Sequence, residues 1–241
     1  ESVKLSVALG GRLRRRGELR EAERLLERTL RLVEEGVGFD VLKTTTPLEE
    51  LAEVYLDKAD PEGAVQLLRR AVEVGARTVG PNHRDVAIAR ANLSRALVAA
   101  GSPHEALGEI DFALQTLSDG AGPESFDVSL ALLLRSEVLL ALSRPDDAEA
   151  DLRRCLTIRE QLFGSNALQA SDALAALVEV QMVQGRLAEA IDTADRTLTL
   201  AETASWVRDD ELARVRFLRA RAAWALHRDA LAPEQARAAL S

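Results

Sequence analysis

GELREAERLL at 17–26, ADPEGAVQLL at 59–68, GSPHEALGEI at 101–110, SRPDDAEADL at 143–152 and GRLAEAIDTA at 185–194 share one form: a turn, an acid-rich helix start, then an alanine. The alanines are Ala22, Ala64, Ala106, Ala148 and Ala190, each 42 residues from the next, and Ala232 continues the series in different surroundings. A fixed period of this length marks a chain built from one repeated supersecondary unit. Other positions keep the same period. Gly38, Gly80, Gly122 and Gly164 fall in the connections, and Thr29, Ala71, Ala113, Cys155 and Thr197 follow each alanine by seven residues. Gly10, Ala52, Ser94, Ser136, Val178 and Ala220 precede each alanine by twelve.

Small side chains at fixed places have a physical cause. Two antiparallel helices joined by a tight turn approach to the short end of the ~8–10 Å interaxial range only where the crossing residues are small. Between them, Leu25, Leu26 and Leu30, then Leu67, Leu68 and Val72, then Leu152 and Leu156 recur at the spacing of a helix face. Neither helix of a unit can bury its stripe alone, so neighbouring units must stack. The expected class is all-α, with about six antiparallel helix-turn-helix repeats over 1–38, 39–80, 81–122, 123–164, 165–206 and 207–241, the last a C-terminal cap, in one repeat domain.

First helices are expected over 2–15, 47–58, 85–99, 127–142, 169–184 and 210–227, and second helices over 18–35, 61–77, 103–118, 145–162 and 187–204. A short last helix is expected over 230–240, with Pro233 in its first turn, where proline is tolerated. The connecting glycines can take the left-handed conformation that closes a helix, and Pro81 and Pro123 stop its continuation. Asp85 and Asp127 stand where an N-cap is wanted. Thr46-Pro47-Leu48-Glu49 reads as a capping box with proline at the first helical position, which starts that helix late and leaves 40–46 irregular.

Composition narrows the function. Aromatics are 3% of the 241 residues, which suits thin helical layers rather than a deep core. A net charge of -8 opposes a general affinity for nucleic-acid phosphates or anionic lipids. No apolar run reaches the length of a membrane span. The single Cys155 rules out an internal disulfide and fits a reducing compartment, so a cytoplasmic protein is expected, with no nucleic-acid or membrane partner. Arginine outnumbers lysine 28 to 3, which points to a GC-rich bacterium. The chain begins with Glu1 rather than Met, as a piece of something longer would.

The stretch GPNHRDVAIARANLSRALVAAGSPHEALGEIDFA, 80–113, resembles the tetratricopeptide repeat family in its 42-residue, kinesin-light-chain-like form. The shared features are a Gly-x-x-His connection, an Asn-Leu-small run, a glycine turn and Glu-Ala opening the second helix; Arg84 stands where the family usually has proline. The end, LARVRFLRARAAWALHRDALAPEQARAAL, resembles the terminal segment of tetratricopeptide arrays that follow the kinase domain in myxobacterial serine/threonine kinases. The resemblance implies an α-solenoid wound as a right-handed superhelix whose first helices line a groove for a protein or peptide partner. On this register the groove residues are Glu53, Asn92, Arg95, Leu134, Glu137, Glu179, Met182, Arg221 and Trp224. The asparagine that the family uses to hold a peptide backbone recurs only at Asn92, the equivalent places being Ala8, Glu50, Leu134, Ala176 and Leu218. A groove with an apolar middle, Leu130, Leu133 and Leu134, flanked by charge, suits an amphipathic helix or an apolar loop. The same leucines would equally serve to pack one helix pair on the next.

Catalytic signatures are missing. His83, His104 and His227 sit in connections or at helix ends, with no two at metal-ligand spacing on one face. Cys155 occupies a crossing position and reads as packing. There is no nucleophile elbow, Walker loop or dinucleotide fingerprint. No enzyme activity, cofactor or metal is expected. Two roles remain: an interaction scaffold within a larger signalling protein, or a structural or self-associating segment that regulates a linked kinase or other effector domain.

Overall fold

A computed structural model of the chain describes residues 2–35, 41–164, 168–203, 213 and 215–227. The first helices are α1 (Ser2–Arg15), α3 (Val41–Asp57), α5 (Arg84–Ala99), α7 (Phe126–Ala141) and α9 (Ser171–Val183). The second helices are α2 (Leu19–Glu35), α4 (Pro61–Val79), α6 (Pro103–Ala121), α8 (Pro145–Phe163) and α10 (Leu187–Thr203). A further helix, α11, covers 215–227, and no strand forms among the described residues. The expected helix over 230–240, with Ala232 and Pro233, lies outside the described residues, as does Gly38.

The chain divides into two compact units, Glu1–Leu142 and Ser143–Ser241. In the first, α1/α2, α3/α4 and α5/α6 close as hairpins, α2, α4 and α6 each pack on the first helix that follows, and α1, α3, α5 and α7 touch in succession. In the second, α9 packs on both α8 and α10. Ala175, Val178, Ala190 and Ala194 there form one apolar cluster with Val215, Leu218 and Ala222 of α11.

The repeat positions carry the packing. Ala22, Ala64, Ala106, Ala148 and Ala190 have no exposed surface, and Ala71, Ala113 and Cys155 have none either. Gly10 shows why: a Cβ built on it would lie 2.7 Å from Leu26 Cδ2, closer than carbon atoms pack. Two further columns at the same period are equally enclosed. They are Leu26, Leu68, Ile110, Leu152 and Ala194 on second helices, and Val54, Ala96, Val138, Val180 and Ala222 on first helices. Ala220 departs from expectation. It is exposed, and the buried residues of α11 are Val215, Leu218 and Ala222. The second-helix positions that would pair with Ala220 at this period, such as Ala232, lie outside the described residues.

One residue at positive φ follows each of α1, α3, α5, α7 and α9: Gly17, Ala59, Gly101, Ser143 and Gly185, at 78°, 58°, 76°, 57° and 74°. At Gly101 the N–H bonds to the Val98 carbonyl at 3.0 Å and the next N–H, of Ser102, to Leu97 at 2.8 Å, the paired bonds that close a helix end. The same pair recurs at Gly17, Ala59 and Gly185. Pro61, Pro103 and Pro145 then stand in the first turn of the second helix, where a missing N–H costs nothing. Between hairpins, Gly80, Gly122 and Gly164 are at positive φ, but their ψ of 153–158° lies outside the left-handed helical region expected. This combination is open essentially to glycine alone, which makes glycine more stringent here than a simple helix stop would.

Four helix starts differ from expectation. The caps of α5 and α7 are His83 and Ser125, two residues before Asp85 and Asp127. His83 Nδ1 accepts from the Asp85 N–H at 3.2 Å, and Ser125 Oγ accepts from the Val128 N–H at 3.3 Å. Asp127, displaced from capping, accepts from Arg84 of the preceding repeat at 2.8 Å. α9 begins at Ser171 after a 3-10 turn, Leu168–Ala170, rather than at 169. α3 begins at Val41, so 41–46 is helical rather than irregular and Pro47 lies inside the helix. Proline there removes one backbone bond, while Thr45, Pro47, Leu48 and Leu51 are all buried. Gly75 of α4 leaves the room into which Val86 of α5 packs, its Cγ2 lying 2.9 Å from where a Cβ would stand.

Candidate protein-binding face

The five expected groove residues of the first unit fall on successive first helices, and charge links them one repeat apart. Arg95 of α5 donates to Glu53 of α3, 42 residues earlier. Arg14 of α1 lies 3.1 Å from Asp57 and 3.6 Å from Glu53. Asn92 Nδ2 donates to Glu49 Oε2 at 3.1 Å. Glu137 of α7 adds a favourable field at Arg95, although burial pulls the Arg95 guanidinium below its usual pKa. Arg14 and Arg95 thus clamp Glu53 from both sides. Pairs this exposed are worth ~0–1 kcal/mol each, so the ladder fixes side-chain positions more than it stabilises the fold.

Beside this ladder the face is apolar. Leu130 is 38% exposed, and Ile88, Leu133 and Leu134 are half-buried. The helix spacing of Leu130, Leu134 and Glu137 places them on one side of α7. Glu49 and Glu50 share α3 with Glu53. Glu50 Oε2 is buried and accepts no hydrogen bond. Glu49 is pushed up to about 7, chiefly by burial, against the lowering effect of Asn92 and with Asp85 and Glu50 adding repulsion. A carboxyl in this state holds its proton near neutrality.

In the second unit, Met182 packs against the apolar cluster around Val178 and Ala190, Glu179 is half-buried, and Arg221 and Trp224 are exposed on α11, Trp224 at 63%. Arg221 and Trp224 are three apart and share a side of their helix with Phe217, also exposed. Met182 therefore serves packing at least in part.

Two polar features escaped the sequence reading. Arg159 of α8 is 1% exposed, donates to the Gln169 carbonyl at 2.6 Å and pairs with Asp172, whose carboxylate also accepts from the Ala173 N–H at 2.8 Å. At the 42-residue register Arg159 stands where earlier repeats have Gly75 and Leu117, and that mismatch was the available signal. The ladder was also readable, as opposite charges 42 or 43 residues apart on first helices. Of the histidines, His83 caps α5, and His104 and His227 are exposed. Cys155 is buried at its crossing position. Among the described residues no three His, Cys, Asp or Glu side chains are grouped to hold a metal ion, and no helix is long and apolar enough to cross a membrane.

Tetratricopeptide repeat profiles match residues 43–108, and 7–40 with 131–166, together more than half of the chain. The chain belongs to the tetratricopeptide repeat family. No curated protein sequence matches it. Solved structures do. BtubC (BKLC) from P. vanneervenii superposes with a TM-score of 0.69 at 21% identity, over 86% of this chain and 83% of that one. A Rap protein complexed with Competence and Sporulation Factor gives 0.73 at 17%, over 89% and 57%. Bacillus thuringiensis PlcR, in complex with the peptide PapR7 and DNA, gives 0.67 at 13%, over 90% and 74%. At these identities the likeness concerns the fold. The tetratricopeptide repeats of this chain keep the helix-hairpin architecture, while the ladder and Arg159 are read from its own residues.

Proposed function

We propose that this chain is a non-enzymatic interaction scaffold that holds a segment of a partner protein on the first-helix face of α1, α3, α5 and α7, as a cytoplasmic regulatory module of a larger bacterial signalling protein. The observation that carries the reading is Leu130. It is a large apolar side chain left 38% exposed beside half-buried Ile88 and Leu134, on a face where Arg14, Glu53 and Arg95 already hold one another in place. A pre-positioned face with an apolar centre and polar flanks is what a protein segment binds with least ordering cost. Two tetratricopeptide-fold neighbours, the Rap protein and PlcR, carry a bound factor and a bound peptide in their structures. Sparse backbone-gripping amides, with Asn92 already engaged by Glu49, favour recognition through side chains.

A photo-crosslinking residue placed at Leu130, compared with one at exposed Glu73 on α4, tests this in cells. Adducts with a discrete partner are expected from position 130 and not from 73. Equal yields from both positions, or none from 130, would remove the first-helix face from consideration.

A further inference from the structure

We propose that this face takes a basic amphipathic helix from a partner protein, seating apolar side chains on Ile88, Leu130 and Leu134 and a lysine or arginine beside Glu49. The inference rests on the binding face proposed above and names the chemistry of its occupant.

Charge selects the occupant. α3 and α7 bring Glu49, Glu50, Glu53, Asp57 and Glu137 toward one face. Of the arginines beside them, Arg14 is committed to Glu53 and Asp57, and Arg95 to Glu53. Glu49 and Glu50 are left with the Asn92 amide, which serves only Glu49. Glu50 Oε2 is turned inward against α1, where a Cβ on Gly11 would lie 3.0 Å from it. Arg15 Nη1 flanks the same spot, 3.6 Å from that Cβ position, yet Glu50 Oε2 accepts no hydrogen bond. Glu49 is only half-buried, so a cationic side chain arriving from outside can supply it with both a donor and the opposite charge.

Spacing selects a helix. Ile88 and Asn92 are one turn apart on α5, as are Leu130 and Leu134 on α7, so the apolar strip runs alongside the acidic one. A partner helix with apolar residues on one side and a basic residue at their edge meets both strips at once. An acidic helix would set like charges against Glu50 and Glu53.

Binding of this kind carries a proton signature. Glu49 holds a proton near neutrality while the face is empty, because it is buried among Glu50 and Asp85 with only Asn92 to favour its charge. A cation at its side favours ionisation, so the partner's arrival expels the proton. Affinity then rises as pH rises toward 7, by up to about tenfold per unit, and flattens above it.

The test uses the whole 241-residue chain and three synthetic peptides of about 18 residues, roughly five helical turns. One has leucine and lysine at amphipathic spacing, one replaces every lysine by glutamate, and one scrambles the basic sequence. Calorimetry at pH 6.5 in two buffers of different ionisation enthalpy reads affinity and protons released. Expected results are binding of the basic amphipathic peptide at least tenfold tighter than of the other two, release of a fraction of a proton, and loss of that release in Glu49→Gln. Leu130→Ser should weaken binding fivefold or more, while Glu73→Gln, an equal charge change on α4, leaves it within twofold. Equal binding of the scrambled peptide means general attraction between a basic peptide and an acidic protein and overturns the proposal, as does equal binding of the acidic peptide or a proton release unchanged in Glu49→Gln. If position 130 crosslinks a partner in cells but the basic peptide fails here, the binding face stands and the basic occupant does not.

Discussion

Ala59 and Ser143 occupy positive φ just after first helices, where Gly17, Gly101 and Gly185 do the same work. An L-residue pays ~1–2 kcal/mol in that conformation, and glycine returns part of the gain through its larger unfolded-state freedom. Ala59→Gly and Ser143→Gly should therefore each stabilise the protein by about 0.5–1 kcal/mol, read as a higher denaturation midpoint at unchanged slope. The crossing positions predict the opposite sign. Ala106 is wholly enclosed, so Ala106→Leu should destabilise by ~1–3 kcal/mol through overpacking; a thermal melt within error of the parent would refute the register. At this scale the sequence was legible wherever a side chain had to be small, because size is visible in every copy. It was less legible where conformation mattered: the same turn accepts Gly, Ala or Ser, and the strained pair looks ordinary until φ is known.

Helix α3 sets the limit for whole elements. Its capping-box sequence announces a start at Pro47, yet the helix begins at Val41, with Thr45 and Leu48 both buried, so that burial outweighs the local signal. Local chemistry names plausible starts, and tertiary contact chooses among them. The caps of α5 and α7 make the same point. Asp85 and Asp127 are good capping residues, but His83 and Ser125 hold the required position, and Asp127 pairs with Arg84 instead. The α3–α5 junction also predicts a pH dependence. Glu49 titrates near 7 in the folded chain against an ordinary value of 4.5, so the native state binds the extra proton and stability is lost as pH rises from about 4.5 through 7, then levels off. Glu49→Gln should remove this slope and raise stability above pH 7 by on the order of 2 kcal/mol. Melting curves of both proteins between pH 5 and 8.5 will show whether their difference grows with pH.

Across the whole molecule, the period told which residues are architecture and the charges told little until they were seen paired. The groove residues expected in the first unit follow from register alone, and three of them, Glu53, Asn92 and Arg95, are in contact with neighbouring repeats. Repeats that touch mainly their neighbours should unfold locally rather than all at once. Hydrogen exchange on Ala106→Leu is expected to quicken in α5, α6 and α7 and to leave α1 and α2 much less affected; uniform quickening across the first unit would mean that it unfolds as one block.

Arg159 bears on how such a chain can evolve. Arrays of this kind grow by duplicating and recombining their units, which requires that any unit fit beside any other. The fourth repeat brings a guanidinium into the core where the second and third bring Gly75 and Leu117, and the fifth answers with Asp172 and the Gln169 carbonyl. Moved in front of a different repeat, that arginine would enter the interior without its carboxylate, at a cost of several kcal/mol. These two units therefore fit one another specifically, and a chimera that separates them should fold only when Arg159 is replaced by leucine.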